Sequence, residues 1–86
     1  MLHDHHYTVE QANSIRGWVA ERVQRIRRVQ SELDAVDIVL RDVDRGLVDF
    51  PALRDGEEVY LCWLIEEDEI SFWHEPNAGF AGREPL

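Results

Sequence analysis

The stretch "GLVDFPALRDGEEVYLCWLIEEDEISFWHE", Gly46 to Glu75, decides how this chain folds, because its apolar alternation assigns side chains to the two faces of a sheet. Asp55-Gly56 is a strong hairpin dipeptide. A two-residue turn there sets Asp49 across from Cys62 and puts Val48 and Phe50 on one face. A second hairpin folding about Glu67-Asp68 would pair Ile65 with Ile70, Trp63 with Phe72, Cys62 with Trp73, Leu61 with His74 and Tyr60 with Glu75. One face then carries Val59, Leu61, Trp63, Ile65, Ile70 and Phe72, with His74 at its end, and forms the core. The other carries Tyr60, Cys62, Leu64, Ser71, Trp73 and Glu75.

That register bears directly on chemistry. It puts Cys62 and His74 on opposite faces, so a zinc site using both is not expected, and two ligands per face are too few to close one. No metal ligand and no cofactor is assigned. The candidate ligand-binding residues are those of the second face and its rim: Asp49, Tyr60, Cys62, Trp73, Glu75 and Arg83. Aromatic walls around a few convergent polar groups suit a small-molecule pocket, and the same composition suits a subunit interface. The ordinary structural alternative pairs Asp49 with Arg41 and treats Cys62 as a small buried hydrophobe, with Arg83 bound to Glu75 or to the carboxyl terminus. Catalysis is left uncertain and disfavoured: Asp49 or Glu75 as base, or Cys62 as nucleophile, would have no histidine on that face to activate the thiol. The acidic Glu66 to Glu69 lacks the alternating ligands of an EF-hand loop.

Upstream, the period changes. "YTVEQANSIRGWVAERVQRIRRVQSEL" carries Ile15, Val19, Arg22, Ile26, Val29 and Leu33 in steps of four and three, flanked by Ala12, Trp18 and Val23. Thr8 and Gln11 match a capping box, so a helix is expected over 9–34. Some 25 residues of helix would run roughly 37 Å, longer than any sheet the chain can build. Its unmatched stripe calls for a partner: a second copy in a homodimer, or, as the alternative, a different protein. Strands follow in "VDIVLRD", "LVDFPAL", "EEVYLCWLI" and "ISFWHE", a four-stranded antiparallel meander over 36–75. An irregular tail, 76–86, completes a single domain of 86 residues.

Composition narrows the classes. A chain this short buries only roughly 60–65% of the surface of its unfolded form, which again favours association. The net charge is −9, and the excess sits in residues 36–86, which hold thirteen acids against four arginines. Such a surface repels phosphate backbones, so no nucleic-acid partner is expected despite Arg22, Arg25, Arg27 and Arg28. No apolar run approaches the roughly 20 residues of a membrane span, and no membrane partner is expected. The opening "MLHDHHYTVE" lacks the features of a signal peptide, and one cysteine cannot form an internal disulfide; both point to a cytoplasmic protein. His3, His5 and His6 read as an incidental chelating tail.

Four motifs, "YTVEQAN", "GLVDFPALRDGEEVYLCW", "FWHE" and "AGFAGREPL", resemble the bacterial proteins grouped as domain of unknown function 2203. The resemblance covers Tyr7 to Asn13 and about Val36 to Leu86. It implies no activity. It does imply two helices ahead of the sheet, whereas this sequence reads as one helix, which favours a second subunit supplying the other. The resulting expectation is an α+β protein of one long amphipathic helix and a four-stranded meander, serving as a homodimeric structural or interaction module through that helix. The alternative is a small-ligand or metal-binding protein that uses the Asp49, Cys62, Trp73 and Glu75 face.

Overall fold

A computed structural model describes residues 2–24 and 29–86. Among the described residues the fold is α+β, with three short helices and an antiparallel sheet of five strands in sequence order. The helices are α1 (Val9–Ser14), α2 (Arg16–Val23) and α3 (Val29–Asp34); the strands are β1 (Val39–Asp42), β2 (Leu47–Arg54), β3 (Glu57–Leu64), β4 (Phe72–His74) and β5 (Glu84–Pro85). The fifth strand comes from the tail expected to be irregular: Phe80–Gly82 forms a 3-10 turn, and Glu84 then pairs with Trp73 on the free edge of β4.

The helix start is as the sequence states. Thr8 Oγ1 accepts from Gln11 N at 3.1 Å, and Gln11 Oε1 accepts from Thr8 N at 3.0 Å. The uninterrupted helix over 9–34 is not present. Ile15, at φ −103° and ψ 5°, ends α1 and begins α2. Local side chains compete there for helix carbonyls: Ser14 Oγ donates to Gln11 O at 2.8 Å, and Arg16 Nε donates to Asn13 O at 3.2 Å. A straight helix of that length would exceed the molecule's longest extent of 35 Å, so the break lets its parts lie on the sheet. Ile26 and the arginines at 25, 27 and 28 lie outside the described residues. Beyond them the chain has reversed: Arg22 Nε lies 3.8 Å from Glu32 Oε1, although ten residues of continuous helix would set their backbones about 15 Å apart along the axis. The second helix ahead of the sheet is therefore supplied by this chain itself.

The core lies between helices and sheet. Ala12, Val19, Val23 and Leu33 from the helices meet Val48, Phe50, Ala52, Val59, Leu61 and Trp63 from β2 and β3. Fully burying side chains the size of Phe50 or Trp63 contributes about 2–3 kcal/mol each. Tyr7 fastens the N-terminal segment to this core. Its amide donates to Pro51 O at 2.7 Å, where β2 has run past the end of its pairing with β1, and its hydroxyl donates to Val36 O at 2.7 Å.

The opposite face is covered by the chain's own ends. Leu2 N and His3 N donate to the Glu58 carboxylate, His6 Nε2 lies 2.7 Å from Glu58 Oε2, and His3 Nε2 lies 2.7 Å from Tyr60 Oη. The histidine segment expected to be a loose tail is thus a strap. From the other end, the Arg83 guanidinium stacks on Phe72 at 3.9 Å and donates to Cys62 O and Glu67. No helix among the described residues is long and apolar enough to cross a membrane.

Candidate functional site

Two hairpins of different character place the polar groups of the covered face. The β2–β3 turn has Asp55 at φ 52° and Gly56 at φ 80°, the paired left-handed conformation of a two-residue turn, and it sets Asp49 opposite Cys62 as the sequence requires. The β3–β4 connection is not a tight turn. β3 ends at Leu64 and β4 begins at Phe72; between them Glu67 O accepts from Trp63 Nε1 at 2.9 Å, Glu67 Oε1 accepts from Leu64 N at 2.8 Å, and Ile70 N donates to Asn13 Oδ1 at 2.8 Å. Burying Ile70 in the core consumes residues that a tight hairpin would pair. The strands then meet as Tyr60 with His74, Leu61 with Trp73 and Cys62 with Phe72.

This register differs by one residue from the sequence-based one, and every side chain of β4 changes face. Trp73 turns toward the helices, where it packs against the core and under the Arg54 guanidinium at 4.3 Å. Phe72 leaves the core face. His74, expected across the sheet from Cys62, joins it: the ligand atoms of Asp49, Cys62 and His74 all lie within 4.8 Å of one another, and all three residues are buried. Of the other candidates, Tyr60 shares this face and tilts against His74, with ring centroids 5.5 Å apart. Arg83 reaches the Cys62 carbonyl rather than the thiol, and the Glu75 side chain is exposed while its carbonyl serves His74.

His74 is held through both ring nitrogens. Nδ1 lies 2.8 Å from Glu75 O, a carbonyl that can only accept, so Nδ1 carries a proton. Nε2 then faces Asp49 Oδ1 at 3.0 Å. The other carboxylate oxygen, Oδ2, accepts from Arg41 Nε at 2.7 Å. Arg41 owes this reach to a β-bulge: Leu40 pairs with Val48 and Asp42 with Leu47, leaving Arg41 as the extra residue of β1. Neither Arg41's bulge nor His74's face has a signature in the sequence. The nearest hint is Glu67, three residues beyond Leu64 and able to cap its amide.

These contacts separate two kinds of chemistry. A nucleophilic cysteine needs an imidazole nitrogen aimed at its sulfur, but His74 has committed one nitrogen to Glu75 O and the other to Asp49. Burial, followed by the Asp49 charge, pushes the Cys62 thiol up to about 12, so it is not an activated nucleophile. Metal coordination suits the same geometry. A ligating histidine characteristically donates its other N–H to a backbone carbonyl, as His74 does; its Nε2 would exchange the Asp49 contact for an ion that Asp49 also ligates.

A cavity of about 230 Å³ adjoins the cluster, bounded by Arg41, Leu47, Asp49 and His74 and by the segment from Pro76 to Phe80. Cys62 is not among the residues that line it. The Arg41 guanidinium packs over Tyr60 at 4.9 Å, and that of Arg45 packs over Phe80 at 4.5 Å.

Compared with known proteins, residues 2–86 match the family described as "Uncharacterized conserved protein (DUF2203)". No curated protein and no solved structure matches the chain.

Proposed function

Since the chain belongs to the DUF2203 family, whose description assigns no chemistry, its function must be read from its own site, and we propose that it is a metal-binding protein whose Asp49 Oδ1, Cys62 Sγ and His74 Nε2 hold one divalent transition metal. The observation that carries this reading is His74, whose Nδ1–H is fixed by Glu75 O and whose Nε2 points at a carboxylate beside a thiol. In the metal-free molecule Nε2 meets Asp49 Oδ1 directly; a bound metal ion would stand between them. A thiolate, an imidazole and a carboxylate favour zinc-class ions, with ligand bonds of about 2.0–2.3 Å. Such bonds separate tetrahedral ligands by about 3.3–3.6 Å, so side-chain rotations of about an ångström close the cluster. Three protein ligands leave a fourth position open, the arrangement of a metal that handles a ligand instead of only bracing a fold.

A homodimer built through the helices stays a second reading, now without the long unmatched stripe that suggested it, because the helix is broken at Ile15 and Glu32 of α3 lies against Arg22 of α2. A cytoplasmic setting remains our inference from a lone cysteine that must stay reduced to ligate.

The test is cobalt(II) or zinc(II) titration of untagged protein with elemental analysis after dialysis. We expect one ion per chain, a thiolate-to-cobalt absorption band that Cys62→Ser abolishes, and loss of stoichiometric binding in His74→Ala. Replacing His3 and His6 by glutamine should leave the stoichiometry at one. Binding that survives Cys62→Ser and His74→Ala but not the double histidine replacement would transfer the site to the N-terminal strap and overturn the reading.

A further inference from the structure

We propose that the cavity beside Asp49 and His74 binds a short-chain carboxylate, its headgroup shared between the open position of the metal and Arg41 and its hydrocarbon tail lying against Leu47, Pro76 and Phe80. This rests on the metal-binding reading and names the ligand of that same site.

Charge comes first. A divalent ion with one thiolate, one carboxylate and the Arg41 guanidinium leaves one net positive charge, at the junction between buried ligands and a half-exposed guanidinium, which a monoanion balances. The protein as a whole carries −9, but that charge is screened over a Debye length of about 8–10 Å, whereas the cluster acts at contact. Of the arginines, Arg41 forms part of the cavity wall, and Arg45 packs on the lining residue Phe80. Arg41 uses Nε for Asp49 and also engages Tyr60, so the N–H groups left over are what it offers a ligand, and a planar guanidinium matches a carboxylate.

Size and wall chemistry choose among anions. A volume of about 230 Å³ is below the roughly 300–1,000 Å³ typical of pockets for drug-sized ligands, so the occupant has few heavy atoms. Apart from Arg41, Asp49 and His74, the walls are Leu47, Pro76, Asn77, Ala78, Gly79 and Phe80, apolar except for the Asn77 amide and the Gly79 backbone. Beyond Arg41 only Asn77 adds a side-chain amide donor, so phosphate would set most of its oxygens against apolar groups without hydrogen bonds, which is unfavourable. An alkyl tail removes the same groups from water.

The experiment uses the full chain loaded with cobalt(II), titrated with butyrate, acetate and inorganic phosphate and followed by visible absorption. Butyrate should give a saturable spectral change with a Kd about tenfold lower than acetate, as two further buried methylenes imply, and phosphate should bind no more tightly than acetate. Arg41→Gln should raise both carboxylate Kd values at least about tenfold while one cobalt remains bound. If that variant loses cobalt, Arg41→Lys, which keeps the charge without the fork, gives the comparison. Phe80→Ala should shrink the butyrate preference to within about threefold. A protein that binds one cobalt but shows no anion response, prefers phosphate, or is indifferent to both Arg41 variants would overturn the carboxylate proposal and leave metal binding standing. Failure of the wild-type chain to take up cobalt would overturn both.

Discussion

His74 Nε2 and Asp49 Oδ1 lie 3.0 Å apart in a site where each side chain is no more than 2% exposed, although 25 positions separate the two residues in sequence. Asp49 also accepts from Arg41, so one buried carboxylate joins β1, β2 and β4. Asp49→Asn should therefore lower the stability of the metal-free protein by about 3 kcal/mol in urea unfolding at neutral pH, because it removes the buried charge that both partners meet and sets an NH2 donor against one of them. Arg41→Ala should have a smaller effect, since the Arg41 side chain is 41% exposed and solvent screens its charge. A loss below about 0.5 kcal/mol for Asp49→Asn would show that this junction contributes little to the fold.

Cys62 gives a kinetic readout. Raising a thiol from its ordinary value of 9.0 to about 12 lowers the thiolate fraction at a given pH by about 10³. Iodoacetamide should modify folded, metal-free protein at least that much more slowly than the same protein in urea at pH 8. Comparable rates in the two states would contradict the buried, protonated thiol.

Gly46 offers a test of the β1–β2 turn. Its φ is +65°, and a Cβ built there collides with the Ile65 side chain, while its carbonyl accepts from Ile65 N at 2.9 Å. Gly46→Ala should cost about 2–3 kcal/mol, whereas Gly56→Ala, at φ +80° but with open space around it, should cost about 1 kcal/mol. Equal losses in urea unfolding would assign the whole effect to backbone strain and none to the contact with Ile65.

The N-terminal strap should loosen in acid. Burial raises the Glu58 carboxyl, but hydrogen bonds from His6, Leu2 N and His3 N outweigh it and hold the group below its ordinary 4.5. A carboxylate with a depressed folded value contributes stability above its unfolded value and loses it as pH falls through the folded one. Glu58→Gln should consequently have a lower Tm than wild type at pH 7, with the gap closing below pH ~4. A gap that persists unchanged at pH ~3 would mean the strap is held by packing and not by the carboxylate.

The sequence by itself determined the elements whose geometry is local. The Thr8–Gln11 box starts α1, and Asp55-Gly56 fixes a two-residue turn whose register follows by counting, which is why Asp49 opposite Cys62 could be read directly. It also identified Val48, Phe50, Val59, Leu61 and Trp63 as one buried face. The face of β4 was a tertiary decision. Phe72 and Trp73 are both apolar, so a one-residue slip leaves the hydrophobic pattern nearly unchanged, and the choice passed to contacts distant in sequence: Ile70 entering the core, Asn13 holding its amide, and β5 returning to pair with Trp73. The helix break was likewise set by three-dimensional fit, since a stripe with helical period says where a helix can run but not how far a small core lets it run straight. His74 meets Cys62 only because those long-range contacts fix the strand, and alternation along one strand carries no information about them.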